Sequence, residues 1–551
     1  MSEETGACEV CDIQSKRKCS SCKLVFYCSQ EHQQADWKEH KSICKPFVED
    51  YSKDIGRHLK ATRALKPGDV IFSEAPLVFG PKPHRIEAGA FPCVGCCRLL
   101  EDQSCERCPG CLWPVCNAKC SGLNTPDRHG FECQILRLRP STELTSFYQF
   151  YRFDVLIVLR AMYLQKANPK KWDVISKLED HYECRGPGTE VYKDVEEKFG
   201  VLEANYLKPL RDFERNTGRS IVLDASPAIV HRIYGVLDVN ATELTEDIDA
   251  TILYATASLM EHNCTPNVMQ LIDETERFTV TVRAALPIEK GDHVSSIYTH
   301  ILWGTAARRE HLLRTKYFGC CCKRCADPTE LGTNLSALKC IGGVEGDLCG
   351  GVQLPLRPTL MEGAWRCDKC SIELPEKDVM KFVNHLGEQV DKVMSKVPRL
   401  RELEDVLGKL EHFLHPNHYL IYNVKHSLVQ LLGTEENVEY SVDDWLKKMN
   451  LCEELIAITK TLDPGNARLS LYLGVLLNEL FIAQFKILTR TWENPTQNLY
   501  TEQLKGYIVN TIEENKRVLE YERRTVSGNK LYEIVVKNEQ IYSSWCELNS
   551  Q

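Results

Sequence analysis

The sequence predicts a multidomain α+β protein, and three observations carry that expectation. Two stretches near the start, residues 8–44 and 93–133, group cysteines with histidines at the spacing of metal ligands. Segments such as "FTVTVRAAL" alternate apolar and polar residues with the period of a half-buried strand. Beyond Pro375 the apolar residues recur instead with the period of a helix.

Bulk properties bound the class. A chain of 551 residues has the length for several domains, and its 43% apolar and 26% charged residues are ordinary for a globular protein. No run of 18 residues is apolar and uncharged. The best candidate, "LSLYLGVLLNELFIAQFKIL", contains Asn478, Glu479 and Lys486 and reads as a buried helix. "MSEETGACEV" at the start is acidic and lacks an apolar core, so no signal peptide is expected. A net charge of -9 argues against general affinity for nucleic acid or anionic membrane. The 27 cysteines admit a disulfide-stapled secreted protein, which the sequons at Asn240, Asn263 and Asn334 would suit. Metal-ligand spacing requires free thiolates, however, so a reducing compartment, cytoplasm or nucleus, is the expectation.

The first cluster holds Cys8, Cys11, Cys19, Cys22, Cys28, His32, His40 and Cys44, spaced C-x2-C-x7-C-x2-C-x5-C-x3-H-x7-H-x3-C. Two intervening residues let both sulfurs of a turn reach one metal, and three place His40 and Cys44 on successive turns of a helix. Eight ligands fill two tetrahedral zinc sites with no open position, which makes them structural. The second cluster repeats the plan with Cys93, Cys96, Cys108, Cys111, Cys116, Cys120, His129 and Cys133. Cys97 and Cys105 are left over, and a register pairing Cys105 with Cys108 competes for the second pair. Neither cluster has the spacing of DNA-reading fingers. Both resemble the MYND zinc finger, the first through "YCSQEHQQADWKEHKSIC", with His32 where that family usually has Cys. That resemblance implies docking of proline-rich peptides.

Further along, Cys320, Cys322 and Cys325 form C-x-C-x2-C, three ligands of a tetrahedral site. Cys321 is expected to point away. The lone Cys264 in "LMEHNCTPNV" is the natural fourth ligand, although spacing alone does not compel it. "EHNCTPN" resembles the N-H-S-C-x-P-N motif of SET-domain lysine methyltransferases, and the C-x-C-x2-C tail resembles their post-SET segment. "DIGRHLKATRALKPGDVIFSEAPLV" is similar to the opening strands of that fold, and "KGDHVSSIYTH" to its G-E-E-L-x-x-x-Y strand. The order of motifs is that of the SET and MYND (SMYD) family, and the added N-terminal finger resembles the arthropod SmydA-type subgroup.

The resemblance implies a β-rich SET core with inserted and N-terminal MYND fingers. In chain order these are a MYND finger (1–48), the first part of SET (49–90), an inserted finger (91–135), a helical insert (136–250), core SET (251–304) and a zinc-bound post-SET segment (305–332). It further implies S-adenosylmethionine as methyl donor, with Cys264 joining Cys320, Cys322 and Cys325 on one zinc. Tyr298 matches the channel hydroxyl. Arg57, Asn240, Ser258, Glu261, His262 and Phe318 match positions lining the cofactor pocket. Taken without the resemblance, Tyr298 alternates with Ile297 in a strand and would simply pack, and His262 would cap a turn. The chain departs from the family at His58, in place of the second Gly of G-x-G, at Glu261 for Asn, and at Lys316 for Tyr.

Cys340, Cys349, Cys367 and Cys370 read as a zinc-ribbon-like knuckle (333–375). From 376 to 551 helical periodicity predominates. "LRELEDVLGKLEHFL" sets Leu400, Leu403, Leu407, Leu410 and Leu414 on one face, and the antiparallel pairs suggest an all-α, tetratricopeptide-like array or a helical lid. Cys452 and Cys546 read as ordinary thiols. The leading expectation is a protein-lysine methyltransferase of cytoplasm and nucleus, acting on a histone or other protein. The alternative is a non-catalytic MYND and SET adaptor in transcriptional regulation. Direct DNA binding through "KRKCSSCK" is disfavoured, since those lysines serve solubility.

Overall fold

The computed structural model describes residues 5–20, 25–82, 90–100, 105–126, 128–138, 152–245, 248–274, 277–344, 347–360, 363–435, 438–492 and 498–549. Cys22 and residues 139–151 of the expected helical insert lie outside them. Small antiparallel sheets enclose one core. Thr279–Ala284 is the centre of a three-stranded sheet, paired with Val268–Asp273 on one side and Val70–Glu74 on the other. Its β-branched Val280 and Val282 are buried while Thr279 and Thr281 face outward by half, which is the alternation read from the sequence. Asp249–Leu253 lies between Val78–Pro81 and Thr242–Thr245 in a second sheet. The helical stretch expected to run to residue 250 therefore ends at Asn240, because the alternating residues after it pair with existing strands.

Between the two halves of the sheet come the second cysteine module and a helical insert. They share one core: Trp113, Phe131 and Ile135 of the module pack with Phe153, Leu156, Leu159 and Tyr206. Gly80 marks the closest approach, since a Cβ there would stand 2.7 Å from Cβ of Ile157.

Residues 338–375 form a four-stranded sheet around the knuckle cysteines. Helices Glu376–Met394, Leu400–Glu411, Tyr419–Leu431, Val442–Leu462, Ser470–Thr491, Asn498–Leu519 and Val526–Leu548 follow, each packed on its neighbours. In the second, Leu403 and Leu410 are buried, Leu400 and Leu407 half-buried, and Val406 completes the stripe, while Leu414, expected on the same face, is buried just beyond the helix end at Glu411. Ser470–Thr491 is long and apolar enough to span a membrane, but it is the central helix of this array, burying Leu473, Leu476, Leu477 and Ile487. Cys452 is buried in the same array. The array also grips the sheet domain, because Ile297, Ile301 and Leu302 bury into it beside Leu455 and Leu476. That contact fixes the segment carrying Tyr298.

Candidate functional site

Cys264 is fully buried, with its Sγ 3.9 Å from that of Cys320 and 3.4 Å from that of Cys325. Together with Cys322 the four sulfurs lie within 4.8 Å of one another. Zinc–sulfur bonds of about 2.3 Å in a tetrahedron place sulfurs about 3.8 Å apart, so this donor set fits Zn2+. Cys321 is exposed, as expected of the odd thiol in the run.

Four thiolates around one Zn2+ leave a surplus of negative charge, and the fold answers it with two buried arginines. Arg308 Nε donates to Cys264 Sγ at 3.3 Å and its Nη2 to Cys325 Sγ at 3.4 Å. Arg324 Nη1 donates to the Ile301 carbonyl at 2.7 Å, and both guanidinium groups meet Glu330 Oε2, at 2.7 and 3.0 Å. Burial pushes the Glu330 carboxyl up, but the charges of Arg308 and Arg324 outweigh it and hold the group down, to about 2. A depressed carboxylate contributes stability above its unfolded value and loses it as pH falls through the folded one. The contribution, about 3 kcal/mol by the size of the shift, should be complete above pH 4.5 and lost between there and about pH 2. In Glu330→Gln, urea unfolding should show a deficit at neutral pH that narrows over that window.

His262 stands directly above this cluster. It lies in the two-residue strand Glu261–His262, which pairs in parallel with Ser295–Ser296. Its Nδ1 accepts the Tyr298 backbone N–H at 2.9 Å, and its Nε2 lies 3.2 Å from Cys264 Sγ. One ring thus ties the Tyr298 backbone to the zinc cluster. Burial pushes its imidazole down, to about 4, so the ring is neutral and its Nε2–H faces the thiolate. The Tyr298 hydroxyl donates to the Met260 carbonyl, and burial pushes its pKa above the usual phenol range. Phe318 stacks at a tilt 5.9 Å from the His262 ring and keeps 36% of its surface open.

The remaining expected residues divide. Asn240 and Ser258 are neighbours: Ser258 Oγ donates to the Tyr254 carbonyl at 2.7 Å and lies 3.3 Å from the Asn240 carbonyl. Asn240 Nδ2 donates to the carbonyls of Glu179 and Val236 at 2.7 and 2.8 Å. Glu261 Oε2 is taken by His293 Nδ1 at 2.7 Å. Arg57 is turned outward to the Lys177 carbonyl at 2.9 Å and to Glu49 at 3.5 Å. His58 is buried and stacks on His293, with ring centroids 4.6 Å apart.

Lys316 was noted in the sequence only as a departure, yet it reaches the same place. It ends helix Thr305–Lys316, and the next residue, Tyr317, has φ 61°, a left-handed conformation costly for a tyrosine. Arg185 and His181 hold that tyrosine, at 3.4 Å to its hydroxyl and 5.2 Å between rings. The turn directs Lys316 Nζ to the carbonyls of Asp238 and Val239, at 2.8 and 2.7 Å, and over the Tyr298 ring at 5.9 Å.

The other cysteine groups fit zinc by the same test. In the first module Cys8, Cys11, Cys28 and His32 converge, with His32 Nδ1 3.2 Å from Cys28 Sγ. Cys19 and Cys44 meet at 3.6 Å, and His40 is buried on the helix leading to Cys44. In the second, Cys93, Cys96, Cys116 and Cys120 form one group and Cys108, Cys111, His129 and Cys133 the other. The register therefore uses Cys108 with Cys111, and Cys105 stays outside these two groups. Cys340, Cys349, Cys367 and Cys370 make the knuckle, paired at 3.5 and 3.6 Å.

Sequence reasoning missed the supports. His129 Nδ1 faces Glu132 Oε1 at 3.1 Å, and Glu132 accepts two bonds from Arg160, at 2.9 and 2.7 Å. Arg160 also donates to the carbonyls of Phe79 and Val94, at 2.9 and 2.7 Å, locking module, sheet and insert together. Such carboxylate–histidine pairs orient the ligand and raise its basicity. Glu132→Gln is expected to weaken zinc at that site by about 10–100-fold, read by competition with a chromogenic chelator.

A model of the MYND finger matches residues 8–44, and one of the SET domain matches residues 56–299. The SET domain-containing protein SmydA-8, isoform B, of Drosophila melanogaster is 27% identical over 422 residues, covering 75% of this chain and 86% of its own length. The histone-lysine N-methyltransferase ASHR1 of Arabidopsis thaliana is 22% identical, covering 74% and 81%. The histone-lysine N-methyltransferase SMYD3 of Homo sapiens is 25% identical over 275 residues, covering 49% and 59%. A solved structure of the SET domain of LSMT bound to lysine and AdoHcy aligns over 94% of this chain and 91% of its own at 11% identity, with a TM-score of 0.26.

Proposed function

Because this chain belongs to the SET and MYND domain (SMYD) family, within its SmydA-like group, we propose that it is a protein-lysine N-methyltransferase using S-adenosylmethionine. The observation that carries the reading is the convergence of Tyr298, His262 and Phe318 above a four-cysteine cluster that pins the tail to Cys264.

Several groups suit such a donor. The open face of Phe318 offers stacking for a purine ring. Asn240 Oδ1 and Glu261 Oε1 accept no hydrogen bond among the described residues and are left to take an ammonium. Neutral His262 adds no positive charge that would repel a sulfonium. On the acceptor side, the Tyr298 hydroxyl spends its proton on Met260, so its oxygen lone pairs remain to receive an amine N–H. That bond aims the amine lone pair, and positioning is a large part of a displacement that needs no protein nucleophile. The two MYND fingers would bring partners with proline-rich segments, the substrate being a histone or another protein of cytoplasm or nucleus.

A second reading, a non-catalytic adaptor, is favoured by one observation: where the family's opening turn has its second Gly, this chain has the buried ring of His58 stacked on His293. Calorimetry of S-adenosylmethionine on the zinc-loaded full-length protein separates the two. The enzyme should bind saturably and weaken with His262→Ala. An adaptor should show no donor binding and no methyl transfer to any protein mixture, while holding a proline-rich peptide that Cys28→Ser releases.

A further inference from the structure

A half-buried lysine ordinarily finds a carboxylate or bends to solvent. Lys316 does neither. Its Nζ is held by two neutral carbonyls, those of Asp238 and Val239, and lies over the ring of Tyr298. The two carboxylates whose charge pulls on it are engaged elsewhere, Asp238 with Arg185 and Glu243 with Lys82. Burial pushes the amine down, to about 8, against the pull of Asp238 and Glu243 and with the push of Arg185. The neutral amine, about a tenth of the population at pH 7 for a group titrating near 8, is the nucleophilic form.

We infer that Lys316 is itself a methyl acceptor of this site, so that the protein methylates its own chain beside Tyr298. The inference rests on the donor reading above. The lone pair of Lys316 Nζ forms the new N–C bond while the methyl–sulfur bond breaks and its electron pair stays on sulfur. S-adenosylhomocysteine leaves as a neutral thioether, and the product is a methylammonium with two N–H groups, the one proton released in the cycle having passed from the lysine ammonium to water before the attack. Unmodified, the protonated amine has three donors. Monomethylation leaves two, enough for both carbonyls, whereas dimethylation leaves one and trimethylation none. Beyond the first methyl the side chain can no longer keep both bonds to Asp238 and Val239, and it frees the space over Tyr298 for another lysine.

The test incubates the zinc-loaded full-length protein with isotopically labelled S-adenosylmethionine and follows intact mass and peptide maps, with donor binding measured on the same preparation. The expected result is a gain of one or more labelled methyl groups on the peptide carrying Lys316. Its rate should not depend on protein concentration, and the gain should vanish in Lys316→Arg. Donor binding with no gain at Lys316, gain confined to other lysines, or a rate proportional to protein concentration would each overturn self-methylation while leaving the methyltransferase reading intact. Absence of donor binding would overturn both.

Discussion

Tyr298→Phe is expected to lower kcat for methyl transfer by on the order of 10²-fold, with donor binding unchanged within about threefold. The ring survives, so packing beside His262 and the backbone bond from Tyr298 N to His262 Nδ1 persist. Only the oxygen proposed to orient the acceptor amine is lost. The substitution also leaves the Met260 carbonyl without its donor, which should cost about 1–3 kcal/mol in unfolding free energy. The two effects are separable: a purely structural role for Tyr298 would move Tm and leave kcat alone. An unchanged kcat at saturating peptide, measured below the variant's Tm, would remove Tyr298 from the chemistry.

Cys264→Ser should be the most damaging single change to the fold of the site. It removes one of four ligands, and structural zinc supplies on the order of 10 kcal/mol in sites of this kind. Loss of the metal should cost about 5 kcal/mol of stability here, since the tail keeps the buried contacts of Arg308 and Arg324 with Glu330. Mass spectrometry of the native protein should show one zinc fewer. Donor binding should fall with it, because the cluster pins the tail that carries Phe318 to the His262 ring. Cys321→Ser, one residue from a ligand yet exposed, should change neither. Full zinc content in Cys264→Ser would mean that another residue completes the site.

The zinc groups were legible because ligand spacing is a local property. A turn with two intervening residues brings its sulfurs together whatever surrounds it, and His32 at the fourth place of its group binds as a cysteine would. The alternation at Thr279–Ala284 and the leucine stripe of Leu400–Glu411 were readable for the same reason, since each period follows from backbone geometry alone.

The supporting charges were not. Arg160 and Glu132 are 28 residues apart, as are no two residues of a shared turn, and only burial reveals that they hold His129. Arg308 sits in a helix rich in arginine, and nothing in "TAARREHLLRTK" says which of them meets the thiolates. Most of the metal-ligating residues and the segments that bury were thus determined by the sequence, through periods and spacings that need only a few neighbouring residues, whereas the Cys108–Cys111 register and the seat of Cys264 beside Cys320, Cys322 and Cys325 were decided by the fold. What surrounds the bound metal, and the placing of the Lys316 amine over Tyr298, was decided by the tertiary structure. Those contacts join segments remote in the chain, and their energies appear only once water has been removed from between them.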